Sequence, residues 1–119
     1  MQTLASALYA AAQLDAREQQ LAHARLFPMP DNSMTPDIKP GQIMAVTPAD
    51  CFGNAGCYLF DRGGTFEVAR CRAERDRNGK VRIRMSQDNA PPRTRARFAS
   101  PKTFNEDVIG RVLAVWSRQ

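Results

Sequence analysis

The stretch TFEVARCRAERDRNGKVRIRMS (residues 65–86) decides how this chain reads. Its two arms, Thr65–Glu74 and Lys80–Ser86, flank Asn78-Gly79. That dipeptide is a strong hairpin signal, because both central residues of a type I′ turn need positive φ. In the second arm Val81, Ile83 and Met85 alternate with Arg82 and Arg84, giving a strand with one apolar and one cationic face. Toward the N-terminus, Cys57–Phe60 is another apolar run, bounded by Gly56 and Gly63-Gly64, and Ile43–Val46 follows the turn signal Lys39-Pro40-Gly41. On the other side, residues 87–105 hold three prolines and the basic run RTRAR and read as loop. Asp107–Trp116 is nearly continuous in apolar residues, as in a strand covered on both sides. Ahead of all these, residues 3–25 lack Gly and Pro and place Leu4, Leu8, Ala11 and Ala12 at helical spacing, with Leu14 and Leu21 two turns apart. Pro28 and Pro30 stop that helix. The expected architecture is mainly β: an N-terminal helical segment, residues 1–26, feeding one compact, mostly antiparallel β domain over residues 27–119.

A length of 119 residues suits one domain with a single core. Hydrophobic residues at 43% and charged residues at 24% sit near globular averages and exclude a disordered or collagen-like chain. No apolar run approaches 18 residues, so no membrane partner is expected. The N-terminus lacks a basic region and meets Asp15 and Arg17 early, a poor signal peptide, so the expected location is cytoplasmic. Cys51, Cys57 and Cys71 lack C-x-x-C spacing, and with His23 they make a weak zinc set. Reduced, idle thiols are the simpler reading, with no metal and no cofactor expected. Lysine plus arginine number 17 against 12 acids, net +5, and Lys39, Lys80 and Lys102 are the only lysines. Such charge speaks to association rather than fold. Arg82, Arg84, Arg93, Arg95 and Arg97 can contact phosphates. No aromatic residue interleaves with them for base stacking, and such a face is more often simply solvated.

Chemistry concentrates in MPDNSMTPDIKPGQIMAV (residues 29–46). On physics alone this is a polar turn in which Ser33 caps a short helical turn, then a proline-glycine turn, then a strand. With its surroundings, however, the segment resembles the Ser-Lys self-cleaving regulators, the family of LexA, UmuD and the C-terminal domains of lambda-type CI repressors. Asn32-Ser33-Met34-Thr35-Pro36 and Gly41-Gln42-Ile43-Met44-Ala45-Val46 take the places of the family's serine turn and following strand. Asp31 stands where glycine is usual and Gln42 where aspartate is usual. Gly64–Arg70 resembles the strand that carries the family's lysine. Ser86-Gln87-Asp88-Asn89 resembles its Ser-x-Asn segment without the tyrosine that follows. Asp107–Trp116 is similar to the closing strand, so four ordered blocks span about residues 26–116.

The resemblance implies a signal-peptidase-type compact β domain in which Ser33 is the nucleophile and the backbone of Met34 lies near the oxyanion site. It also implies a neutral lysine amine that takes the serine proton. Holding a lysine neutral near pH 7 requires burial that disfavours the charged form by about 4 kcal/mol. The position aligned with that base is Ala69. Arg70 stays protonated and points to the opposite strand face, and Lys39, Lys80 and Lys102 fall in turns or loops. Loss of one member of a nucleophile–base pair commonly costs on the order of 10⁴-fold in rate. The chain as written is expected to be inactive, and Ala69 is either an engineered or a natural replacement.

The family cuts an Ala-Gly or Cys-Gly bond upstream of the serine, yet no glycine precedes Gly41, and Ala55-Gly56 lies inside the β domain. The resemblance therefore implies an oligomerisation and regulatory domain of a phage-repressor- or LexA-like transcriptional regulator. A homodimer or higher oligomer is expected, built through Val108–Trp116 and its neighbours. DNA would be read by a separate domain outside this chain, since no helix-turn-helix is visible. A RecA filament is an implied partner if the natural protein cleaves itself. Two alternatives stand beside this: a UmuD-like accessory subunit of a translesion polymerase, or an active serine self-peptidase if residue 69 is natively lysine.

Overall fold

The computed structural model describes residues 23–91, 94 and 96–117. Seven strands form one antiparallel sheet: β1 (Arg25–Pro28), β2 (Ile43–Pro48), β3 (Gly56–Asp61), β4 (Phe66–Arg75), β5 (Val81–Ser86), β6 (Arg97–Ala99) and β7 (Val108–Trp116). Their order across the sheet is β1-β2-β7-β3-β4-β5-β6, and the helix α1 (Pro101–Asp107) precedes the last strand. The mainly β architecture expected from the sequence is the one observed. No described helix is long and apolar enough to cross a membrane.

Alternation along the strands sorts side chains onto two faces, and each face has its own cover. Leu59 lies opposite Val68, and Tyr58 opposite Ala69, in the β3–β4 ladder. Leu59 and Val68 join Met44 and Val46, and are covered by Met29, Met34 and Ile38 from the segment between β1 and β2. Tyr58, Phe60 and Ala69 join Ile83 and Met85 on the other face, beneath Phe104 of α1. Phe104 meets the rings of Phe52, Tyr58 and Phe60 edge-on at centroid distances of 5.5, 5.2 and 5.3 Å, the arrangement that aromatic quadrupoles favour.

Several expectations are corrected. The β4–β5 connection is not a type I′ turn: among the described residues only glycines have positive φ, and Gly79 alone does so here, at 77°. Asp76 N–H donates to the Lys80 carbonyl at 2.9 Å and Gly79 N–H to the Asp76 carbonyl at 3.0 Å, which closes a three-residue loop. The Asp76 carboxylate selects it by accepting from the N–H groups of Asn78 and Lys80, both at 2.9 Å. The span 87–105 is not all loop, since it contains β6 and most of α1. Ser100 caps that helix by accepting from Thr103 N–H at 3.1 Å, and Pro101 occupies its first turn.

At the other end, the expected helix over 3–25 falls largely outside the described residues, and its last residue is strand. Arg25 and Leu26 pair with Val46 and Ala45 in β1, which moves the edge of the expected helical segment 1–26. The ladder partner offered by β2 outweighs local helix propensity there. β7 is central, yet only Gly110 is fully buried, and Leu113 and Trp116 are 37% and 48% exposed. The continuous apolar run thus reflects a strand with one largely uncovered side.

Gly110 carries a packing constraint of its own. A Cβ at this position would lie 2.1 Å from the Thr47 carbonyl oxygen and 2.7 Å from Val46 Cγ1. The atom struck is backbone, so β2 and β7 would have to separate. We expect Gly110→Ala to destabilise the fold by at least about 1–3 kcal/mol, read as a lower urea midpoint. An unchanged midpoint would show that the two strands are not held at this spacing.

Candidate functional site

The turn around Ser33 is organised by its own aspartate. Asp31 Oδ1 accepts from Ser33 N–H at 3.1 Å and from Ser33 Oγ at 2.6 Å. Thr35 N–H donates to the Asn32 carbonyl at 3.1 Å and Ile38 N–H to the Met34 carbonyl at 3.0 Å, making one helical turn. Gly41, with φ of 79°, then reverses the chain, and its N–H donates to the Met29 carbonyl at 3.1 Å. Positive φ is the conformation for which glycine is suited. Gln42 closes the segment: its Oε1 accepts from Lys39 N–H at 2.7 Å, and its Nε2 donates to Ser117 Oγ at 2.9 Å. Both departures from the resembled pattern, Asp31 and Gln42, therefore make specific bonds.

Two distant parts of the chain fasten this turn to the sheet. Asn89 donates its backbone N–H to the Ser33 carbonyl at 2.8 Å and its Nδ2 to the Asn32 carbonyl at 2.9 Å. Arg70, on β4, grips Asp88 through Nε at 3.0 Å and Nη2 at 2.7 Å, and reaches Asp37 of the turn at 2.8 Å. Two-point contact of a guanidinium with a carboxylate fixes orientation as well as charge. The hydrogen bond from Arg70 holds the Asp88 carboxyl below its ordinary range, and the same bond raises the Arg70 guanidinium. Beneath the polar layer, Met34 and Ile38 are buried with Val68.

The structure thus brings Asn32, Ser33 and Asn89 together and seats them over β4. Ser33 is half-buried, and its hydroxyl proton points to a carboxylate rather than an amine. Met34 follows it with a fully buried side chain. Ala69 is fully buried too, but in the cluster of Tyr58, Phe60 and Phe104, not in that of Met34. Lys39, Lys80 and Lys102 are all exposed, so no lysine of the chain is desolvated as a general base requires.

Other chemistries find little support. Cys71 is buried and its thiol is pushed up to about 12 by desolvation, while burial also pushes the Cys57 thiol up. Thiols so held are poor sources of thiolate. Among the described residues no three His, Cys, Asp or Glu side chains gather as a metal site would need. The sequence reading missed the Asp37–Arg70–Asp88 clamp. The signal was present in the hairpin, because its register sets Arg70 opposite Ser86, two residues from Asp88.

No family model matches the chain, and no curated protein matches it either.

The clamp sets a pH dependence. Asp88 has a lower pKa folded than unfolded, so it stabilises above the ordinary carboxylate range near 3.9 and loses that contribution as pH falls through the folded value. Thermal melts between about pH 5 and pH 2 should therefore decline less steeply for Asp88→Asn than for the unaltered chain. Superimposable pH profiles would remove Asp88 from the account of the turn.

Proposed function

We propose that this chain is a self-associating regulatory domain of the LexA, UmuD and lambda-type CI repressor kind, with the serine turn retained and its cleavage chemistry absent. The observation that carries this reading is the convergence at Ser33. Asn89 binds the carbonyls of Asn32 and Ser33 across more than fifty residues, and Arg70 of β4 ties Asp37 of the same turn. These are three of the blocks whose order suggested the resemblance, and they form one site.

The chemistry follows from what surrounds the hydroxyl. Asp31 accepts the hydrogen bond of the Ser33 hydroxyl and so orients it away from any amine. Position 69 is buried among Tyr58, Phe60 and Phe104, on the sheet face away from the serine turn, so it brings no base to Ser33. DNA reading, in this proposal, belongs to another domain, and the present chain contributes association.

An apolar surface supports the association. The ladders set Leu26 beside Ala45, Ala45 beside Ala114, and Trp116 beside Ile43, so Leu26 and Trp116 stand exposed on one face of β1, β2 and β7, around a buried Ala45. Leu26 is 66% exposed and Trp116 48%. Covering a large apolar side chain contributes roughly 1.5–3 kcal/mol, so a two-fold contact through this face gains from every such residue twice.

Light scattering at tens of micromolar should give a dimer, and Trp116→Asp should shift it toward monomer. A clean monomer of the unaltered chain would overturn the association. A serine-directed phosphonate should leave Ser33 of this chain unmodified. Labelling of the unaltered chain would overturn the absence of chemistry.

A further inference from the structure

The open face of β4, β5 and β6 carries a row that the sequence pattern did not show. Arg72 lies directly opposite Arg84, and Arg84 directly opposite Phe98. Like charges facing each other across a ladder destabilise it, so such a pair without an acidic partner needs another reason. Among the described residues neither Arg72 nor Arg84 forms an ion pair, although their neighbours do. Arg82 on the same face pairs with Glu74 at 2.9 Å, and Arg70 is committed to Asp37 and Asp88. Among the described residues these two guanidinium groups are left side by side without a carboxylate.

Phe98 supplies the other half of the surface. It sits on the edge strand β6 and is 45% exposed. The Arg82 guanidinium lies 3.8 Å from its ring centroid and that of Arg84 5.9 Å away. Beside this row an open groove of about 430 Å³ is lined by Gly56, Arg70, Arg72, Arg84 and Ser86. An exposed ring flanked by guanidinium groups on a sheet face, next to a groove with unneutralised positive charge, can take a flat π-system and an anion in adjacent places.

We propose that this face binds a single-stranded nucleic acid segment, with a base stacked on Phe98 and phosphates held by Arg72 and Arg84. Each contact matches a known requirement. Stacking on an aromatic side chain needs bases that are splayed out, as in a single strand, and is indifferent to their identity. The phosphates give a salt-dependent term through counterion release. A duplex keeps its bases stacked inside and would use only the arginines. An acidic peptide likewise answers the charge but leaves the ring unused. The net charge of +5 is of the sign that favours encounter with a polyanion. This face is separate from the Ser33 turn, and the proposal does not depend on the reading given for that turn.

The test is fluorescence anisotropy at 50 and 200 mM salt with four labelled 15-mers: dT, rU, a mixed-sequence DNA duplex and poly-glutamate. Binding of dT, rU or both, in preference to the duplex and poly-glutamate, is expected, and the ratio of dT to rU tells DNA from RNA. Phe98→Ala should weaken single-strand binding about tenfold. Arg84→Gln should reduce the slope of log affinity against log salt by about 0.7. Lys102→Gln, on α1 beneath the opposite face, should change neither. Circular dichroism confirms that each variant is folded. No single-strand binding at 50 mM salt, equal binding of duplex or poly-glutamate, or indifference to Phe98→Ala would overturn the proposal.

Discussion

A single antiparallel sheet buries nothing until something crosses each of its faces, and the consecutive residues Val68 and Ala69 are where both covers meet. Each is fully buried, although neighbouring residues of a strand point in opposite directions. Val68 lies under Met34 and Ile38 of the serine turn, and Ala69 in the cluster beneath the Phe104 side of α1. The rest of the molecule can be arranged around that fact. The segment between β1 and β2 must cross one face and α1 the other, and each is tied down by polar contacts at its margin. Arg62 does this for the second face, donating to Asp107 at the end of α1 at 2.5 Å. Arg70 does it for the first, through Asp37.

The same constraint explains why the serine turn is so fully bonded. A lid with three apolar anchors, Met29, Met34 and Ile38, presents backbone groups at its edge that must find partners. Asn89 satisfies two carbonyls, Asp31 takes one N–H, and Gln42 serves the return leg. Structural need therefore accounts for every polar contact of Ser33 seen here. Catalysis would add one requirement, a desolvated amine near the hydroxyl, and that is the element this chain lacks. The distinction matters because a serine turn can be kept by selection on the lid alone.

Much of this was legible in the residues, and the failures have physical causes. Alternation in Val81–Met85 and the apolar runs at 43–46 and 57–60 announced β5, β2 and β3, since strand period is a local property. Asn78-Gly79 announced a hairpin but not its loop, because the competing acceptor was the side chain of Asp76, one residue outside the pair. The prolines of 87–105 concealed α1, although Ser100-Pro101 is itself a helix-start signal. At the site, Ser33 and Asn89 were singled out by resemblance, while Arg70 was considered only as a failed base. Its actual partners lie 33 and 18 residues away and become neighbours only once the sheet register is known.

Beyond residue 69 the two covers part company, and β4 shows it directly. Arg70 and Arg72 are exposed on the face that Val68 shares, while Cys71 remains buried on the other. The lid from the serine turn ends at Arg70, which it uses as an anchor, and leaves the β4–β5–β6 half of that face to solvent. A face destined only for water has no need of opposed arginines, because Glu or Thr at position 72 or 84 would relieve the repulsion at no cost to the core. Phe98 is equally unneeded by either cluster, as its neighbours on β6 turn the opposite way, with Ala99 packing against the second core. Arg72, Arg84 and Phe98 are thus residues whose placement neither apolar cluster nor the serine turn explains. Their common position in one cross-strand row argues that a single ligand accounts for all three.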